Sequence, residues 1–187
     1  RLETPAGNDA ARAGLRYGYA LGNVADTRGR TVFHGHDGSI DGFVATYAYS
    51  PRIGAAYVLM ANRASDEVLE AAQLVRRYLE RDVAAPVAVS QVIPERDRRA
   101  WAGQYQTLTP RRHLLAAVVG LTQWEGASFE DDTLLFKGQR WTHVGDGLFQ
   151  AEGEAAPSLA IVRTDEGIRI QSGIGAHRRV PDLEMSV

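Results

Sequence analysis

The segment Val32-Phe33-His34-Gly35-His36-Asp37-Gly38-Ser39-Ile40-Asp41-Gly42-Phe43 gathers the side chains in this chain best suited to chemistry. Thr31, Val32 and Phe33 favour extended backbone, and a strand's period of two places His34 and His36 on one face with Asp37 on the other. Gly38 has no Cβ, so a substrate carbonyl can approach the backbone there and meet the N–H of Ser39. A histidine beside such an amide can polarise an acyl group while the amide stabilises a developing oxyanion, a donor typically worth ~3 kcal/mol in a transition state. His36, Gly38 and Ser39 are therefore the candidate catalytic residues, with Asp37 and Ser39 as substrate contacts. None of them is an evident nucleophile. A hydrogen-bonded strand histidine is the plainer reading of His36, and an ordinary strand-edge histidine that of His34.

His34-x-His36 also fits two metal ligands on one strand face, with Asp37 or Asp41 as a carboxylate helper. Two ligands do not make a site, and His113, His143 and His177 lie far away in sequence. No metal and no organic cofactor is expected.

Composition narrows the function classes. The 187 residues hold 21 basic and 23 acidic side chains, a formal charge of −2, so no long-range field favours nucleic acid or an anionic membrane. The arginine pairs Arg76-Arg77, Arg98-Arg99, Arg111-Arg112 and Arg178-Arg179 read as solvated surface or local ion pairs. The absence of cysteine excludes disulfides and thiolate chemistry but leaves the compartment open. No apolar run approaches the ~20 residues of a membrane-spanning helix. The start Arg1-Leu2-Glu3-Thr4-Pro5 resembles neither an initiator nor a signal peptide, which suggests a processed or excised piece.

The elements that must position the histidine segment follow from pattern. After an irregular lead-in over 1–14, strands are expected at Leu15–Gly22, through His36, at Gly42–Tyr49 and at Gly54–Ala61, the last buried on both faces. Ser65 suits a helix N-cap, and Val68, Leu69, Ala72, Val75 and Leu79 form an apolar stripe at helical spacing. Ala84 to Val89 and Ile93-Pro94 read as an extended linker. Beyond Trp101, short segments at Trp101–Thr107, Leu114–Val119, Thr133–Phe136, Trp141–Val144, Leu148–Ala151, Leu159–Val162 and Ile168–Gln171 alternate with glycine-rich turns, as in a small antiparallel barrel. Trp101, Tyr105, Trp124, Phe136, Trp141 and Phe149 are its expected core. The expected class is thus α+β: an antiparallel sheet of about four strands with a C-terminal helix over 1–85, then a small all-β barrel-like domain over 86–187.

Four landmarks, Ala13 to Asn23, His34 to Phe43, Tyr49-Ser50-Pro51 and Val58 to Asn62, together resemble the C-terminal part of the serine β-lactamase-related hydrolases. That superfamily includes class C β-lactamases, penicillin-binding proteins, D-aminopeptidases and esterases. The resemblance implies that His36-Asp37-Gly38 is the family's His-x-Gly third motif and that Ser39 N–H forms half of an oxyanion hole. It also implies acyl-enzyme hydrolysis of a peptide amide, ester or lactam. The second part, through Trp101-Ala102-Gly103-Gln104-Tyr105 and Val144 to Phe149, is similar to a lipocalin-like extension found on some members.

The family's Ser-x-x-Lys and Tyr-x-Asn motifs are missing: no serine precedes a lysine by three residues, and the single lysine is Lys137. The expectation is a C-terminal fragment, inactive alone, whose nucleophile lies upstream. Its partners would be a small-molecule or peptide substrate, and a second copy or the missing N-terminal region against an apolar face around 15–60. A periplasmic or extracellular location follows from the resemblance alone. The rival is a non-catalytic ligand- or partner-binding protein using the barrel.

Overall fold

A computed structural model describes residues 3–63, 67–108, 124–173 and 175–181. A short helix α1 (Asp9–Arg12), with Asn8 accepting at its N-cap, precedes a five-stranded antiparallel sheet in sequential order: β1 (Gly18–Tyr19), β2 (Val24–Asp26), β3 (Phe33–Ile40), β4 (Phe43–Ser50) and β5 (Ala55–Ala61). Asp41-Gly42 joins β3 to β4 in a two-residue hairpin, with Gly42 at φ +81°, a value L side chains resist. The sheet therefore has five strands, not about four, because Leu15–Gly22 holds only the two residues of β1 and the chain turns immediately into β2.

Helix α2 (Glu67–Leu79) follows the sheet and packs on β4 and β5. It does not end the architecture as the expected C-terminal helix, since the chain continues through 84–94 into α3 (Glu95–Trp101), a helix the linker-like sequence did not announce. The Ser65 cap lies outside the described residues. Along β4, Val44, Thr46, Ala48 and Ser50 are buried beneath α2, whereas Phe43 and Tyr47 are exposed. The apolar β5 corrects another expectation. It is not buried on both faces: Val58 is 66% and Met60 78% exposed, because no described element covers the side of the sheet opposite α2.

Arg76 also departs from expectation. It is 6% exposed, with Nη1 2.8 Å from Asp26 Oδ2, Nε 3.5 Å from Glu80 Oε1 and its guanidinium 4.8 Å over the Phe33 ring. Glu80 Oε1 accepts in turn from Thr31 N–H at 3.2 Å. This network ties α2 to β2 and β3. Burial pushes the Asp26 carboxyl up, but the hydrogen bond from Arg28 and the Arg76 charge outweigh it and hold the group at about 2.

The second layer is a closed antiparallel barrel of β6 (Gly103–Thr107), β7 (Trp124–Glu130), β8 (Thr133–Phe136), β9 (Gln139–Gly145), β10 (Leu148–Gln150), β11 (Leu159–Thr164), β12 (Gly167–Ser172) and β13 (Gly175–Arg179). β13 pairs with β6 to close the ring. Lys137 (φ +52°) and Gly138 (φ +70°) form the tight β8–β9 turn whose twist suits a hairpin. Trp101, Tyr105, Phe136, Trp141 and Phe149 are buried inside with Leu134, Leu159 and Ile170, while Trp124 is partly buried. The expected Leu114–Val119 strand falls outside the described residues. Sheet and barrel meet where Ala10 and Leu15 pack on Ala160 and Val162, and where Ala155 N–H donates to Thr27 O at 2.8 Å.

Candidate functional site

The histidine segment lies on β3, and strand register decides what its backbone can reach. Two-residue loops close the β1–β2 and β3–β4 hairpins. Ala20 N–H donates to Asn23 O at 2.7 Å, so alternation turns Ala25 toward β1 and Val24 toward β3, where it faces Gly35. At the other hairpin the closing pair Ile40–Phe43 is the hydrogen-bonded one, so Gly38 and His36 bond to Ala45 and Tyr47 of β4. Both hairpins impose the same alternation on β3. Gly35, Asp37 and Ser39 direct their N–H and C=O groups away from β4, and β2 pairs with β3 only over Phe33 to Gly35. Among the described residues, no strand pairs with Asp37 to Ile40 on that side, which leaves a short free edge.

The side chains are arranged in rows across the sheet. His36 stands in register with Tyr47 and Val58, and His34 with Tyr49 and Ala56. Tyr19 approaches from β1, its hydroxyl 3.3 Å from His36 Nε2 and its ring edge-on at 5.6 Å between centroids. The His34 ring sits 5.6 Å from that of Tyr49, whose hydroxyl donates to Glu3 at 2.6 Å and accepts from Asn23 at 3.2 Å. The hydrogen bond to the Glu3 carboxylate raises the Tyr49 hydroxyl above the usual phenol range. The two histidines are thus drawn to tyrosines. Among the described residues no three His, Asp or Glu side chains converge as metal ligands would.

Glycine placement explains the local shape. A Cβ at Gly35 would collide with the Tyr47 carbonyl oxygen and with Ala48, so the central crossing of β3 and β4 needs glycine. At Gly38 a Cβ would meet nothing within 4 Å, so glycine there opens space. That space belongs to a groove of about 590 Å³ lined by Gly38, Ser39, Ile40, Phe43, Ala45 and Met60. His36 and Asp37 line a different depression of about 240 Å³, which Tyr19, Gly35, Tyr57 and the α2 residues Leu69 and Gln73 also border. The four expected residues therefore share one strand but divide between two adjoining hollows. The arrangement can offer the edge amides of Asp37 and Ser39 to separate acceptors along an extended ligand, with an apolar groove beside Ser39 and the His36 imidazole at the adjoining hollow. Tyr19, Phe43, Tyr47 and Met60 were not foreseen as site residues. Their signal was available in the hairpin registers, which place Tyr47 opposite His36 once Asp41-Gly42 is taken as the turn.

No protein-family model and no curated protein matches the sequence. Solved structures do show likeness. SurE solved with D-Leu aligns at 22% identity and a TM-score of 0.43 over 96% of this chain and 43% of that one. A second SurE structure gives 23%, 0.42, 92% and 43%. The octameric penicillin-binding protein homologue from Pyrococcus abyssi gives 13%, 0.31, 87% and 37%. The chain thus spans less than half the length of each of these three structures, and likenesses this distant assign no activity to it. The expected membership in the serine β-lactamase-related hydrolases is corrected here. The two structures with the higher TM-scores are of SurE and not of a serine β-lactamase, and the penicillin-binding protein homologue is a remote match.

Proposed function

We propose that this chain is a ligand-binding protein in which a small molecule or extended peptide lies along the free edge of β3. Ser39 N–H donates to a ligand carbonyl, His36 supplies a second polar contact, and Gly38 leaves room for the ligand's approach. Asp37 offers its own edge amide one pleat away. The observation that carries this reading is the hairpin register, which turns the Asp37 and Ser39 amides outward beyond the end of β2 and beside an apolar groove. In the same proposal residues 1–85 carry the ligand and residues 86–187 form a rigid support, since the barrel interior is filled by side chains.

Titration with a blocked tripeptide of alternating valine and alanine, followed by the backbone amide signals, tests it. The Ser39 amide is expected to shift saturably. Ser39→Pro removes that donor while leaving the β4 ladder intact, because the Ser39 N–H points the other way. Binding should weaken at least about tenfold, roughly 1.4 kcal/mol. Unchanged affinity in a folded Ser39→Pro variant would sink the proposal. A second reading, pairing with another copy through the open sheet face, is favoured by the exposed row of Ile40, Phe43, Val58 and Met60.

A further inference from the structure

Between α2 and the sheet, where β2 stops short, lies the hollow of about 240 Å³ that Asp37 borders. Register decides which side chains face it. Asp37 is paired with Thr46, and Thr46 with Leu59, so Asp37 projects on the side of the sheet that α2 covers, as the buried Thr46 does. Phe33 and Gly35 precede it on the same face, and Gly35, with no side chain, leaves the floor low between them. Val24, Leu69 and Ala72 supply further apolar wall, and Tyr57 adds a phenol. The Tyr57 hydroxyl feels Asp37: burial pushes it above the usual phenol range, Arg76 pulls it back, and the Asp37 charge raises it again.

The charges around this hollow leave one uncompensated. Asp26 accepts from Arg28 Nε at 3.0 Å and Nη2 at 2.9 Å and from Arg76 Nη1 at 2.8 Å, and Arg76 Nε lies 3.5 Å from Glu80 Oε1. Arg28 and Arg76 are thus neutralised by Asp26 and Glu80. Asp37 takes part in no ion pair and no side-chain hydrogen bond among the described residues, and its carboxylate stands exposed at the rim. An uncompensated carboxylate above an apolar hollow favours a cation on an apolar stem, because a neutral ligand gains nothing from the charge and an anion is repelled. The volume is several times the ~30 Å³ share of one water, enough for a short branched stem.

We infer that this hollow is a binding site for a small primary amine, with the ammonium held by the Asp37 carboxylate and the Tyr57 hydroxyl and the stem against Val24, Phe33, Leu69 and Ala72. The site uses side chains on the α2 side of the sheet and not the outward amides of β3. It is therefore independent of the edge-binding reading, and the uncharged blocked tripeptide reports on that edge alone.

Isoamylamine is the probe, with isoamyl alcohol as the neutral control and methylammonium as the cation without a stem. The methyl signals of Leu69 and the ring signals of Tyr57 give the readout. Saturable shifts are expected with isoamylamine, with about fivefold weaker affinity for the alcohol and at least tenfold weaker affinity for methylammonium. Added salt should weaken the amine and leave the alcohol unchanged. Asp37→Asn alters an exposed side chain and should abolish the preference for the amine over the alcohol, an outcome that a purely structural role for Asp37 would not produce. Gln73→Trp, which fills the mouth from an exposed position on α2, should remove binding of both. The inference is overturned if isoamylamine gives no saturable shift, if the alcohol binds equally well, or if the preference for the amine survives in a folded Asp37→Asn variant. Binding that persists in a folded Gln73→Trp variant also overturns it.

Discussion

The barrel and the sheet are built from the same kind of hairpins and end in opposite conditions. In the barrel, β13 returns to β6, so every strand has two neighbours and the interior is packed with aromatic and aliphatic side chains. In the sheet, β2 stops short of β3, and the face opposite α2 carries exposed Tyr47, Val58 and Met60. Closure removes edges and hides apolar surface, and an open sheet keeps both for something else to use. The contrast separates a part that holds stability from a part free to bind.

The contrast breaks most visibly on truncating its packed side. Phe149→Ala removes a ring that is fully buried among Trp101, Phe129 and His143, and a loss of about 4 kcal/mol is expected in denaturant unfolding. Arg76→Ala attacks the buried ion network between α2 and the sheet. It leaves Glu80 without its cation and Asp26 with Arg28 alone, and about 3 kcal/mol should be lost, with recovery if Glu80→Gln is added.

Acid should discriminate between the parts. Burial, helped by the nearby Lys137 charge, pulls His177 inside the barrel down to about 4 from an ordinary value of 6.5. The folded state therefore favours the neutral ring. Its contribution is complete above pH 6.5 and is lost as pH falls from 6.5 toward 4, up to about 3 kcal/mol. His177→Phe should flatten the unfolding profile across that window, and a profile still as steep would refute the assignment.

The smallest effect is expected on the open face. Met60→Lys should change unfolding stability by no more than about 0.5 kcal/mol, because the side chain is already 78% exposed. Concentration-dependent association measured by sedimentation should disappear in the same variant. Association that persists would remove this face as the contact between copies.

Local features were legible before the structure. The Asp41-Gly42 turn, the helical stripe after Ser65 and the glycine-punctuated strands from Thr133 to Gln171 are written in neighbouring residues. So was a strand through His36, which the structure extends to Ile40. The four landmarks from Ala13 to Asn62 misled about family, because strands and turns in that order describe an antiparallel sheet and a fold does not fix what is built on it.

By itself the sequence determined which stretches extend, which turn and which aromatics seek a core, since hairpin pairing and side-chain period depend on residues a few positions apart. Tertiary structure alone decided the rest. It buried Arg76 against Asp26, left β5 exposed, closed β13 onto β6, ended β2 beside Gly35 and set Trp101 beside His143. Each of these pairs residues distant along the chain, or turns on a neighbour being absent, and no local pattern records either.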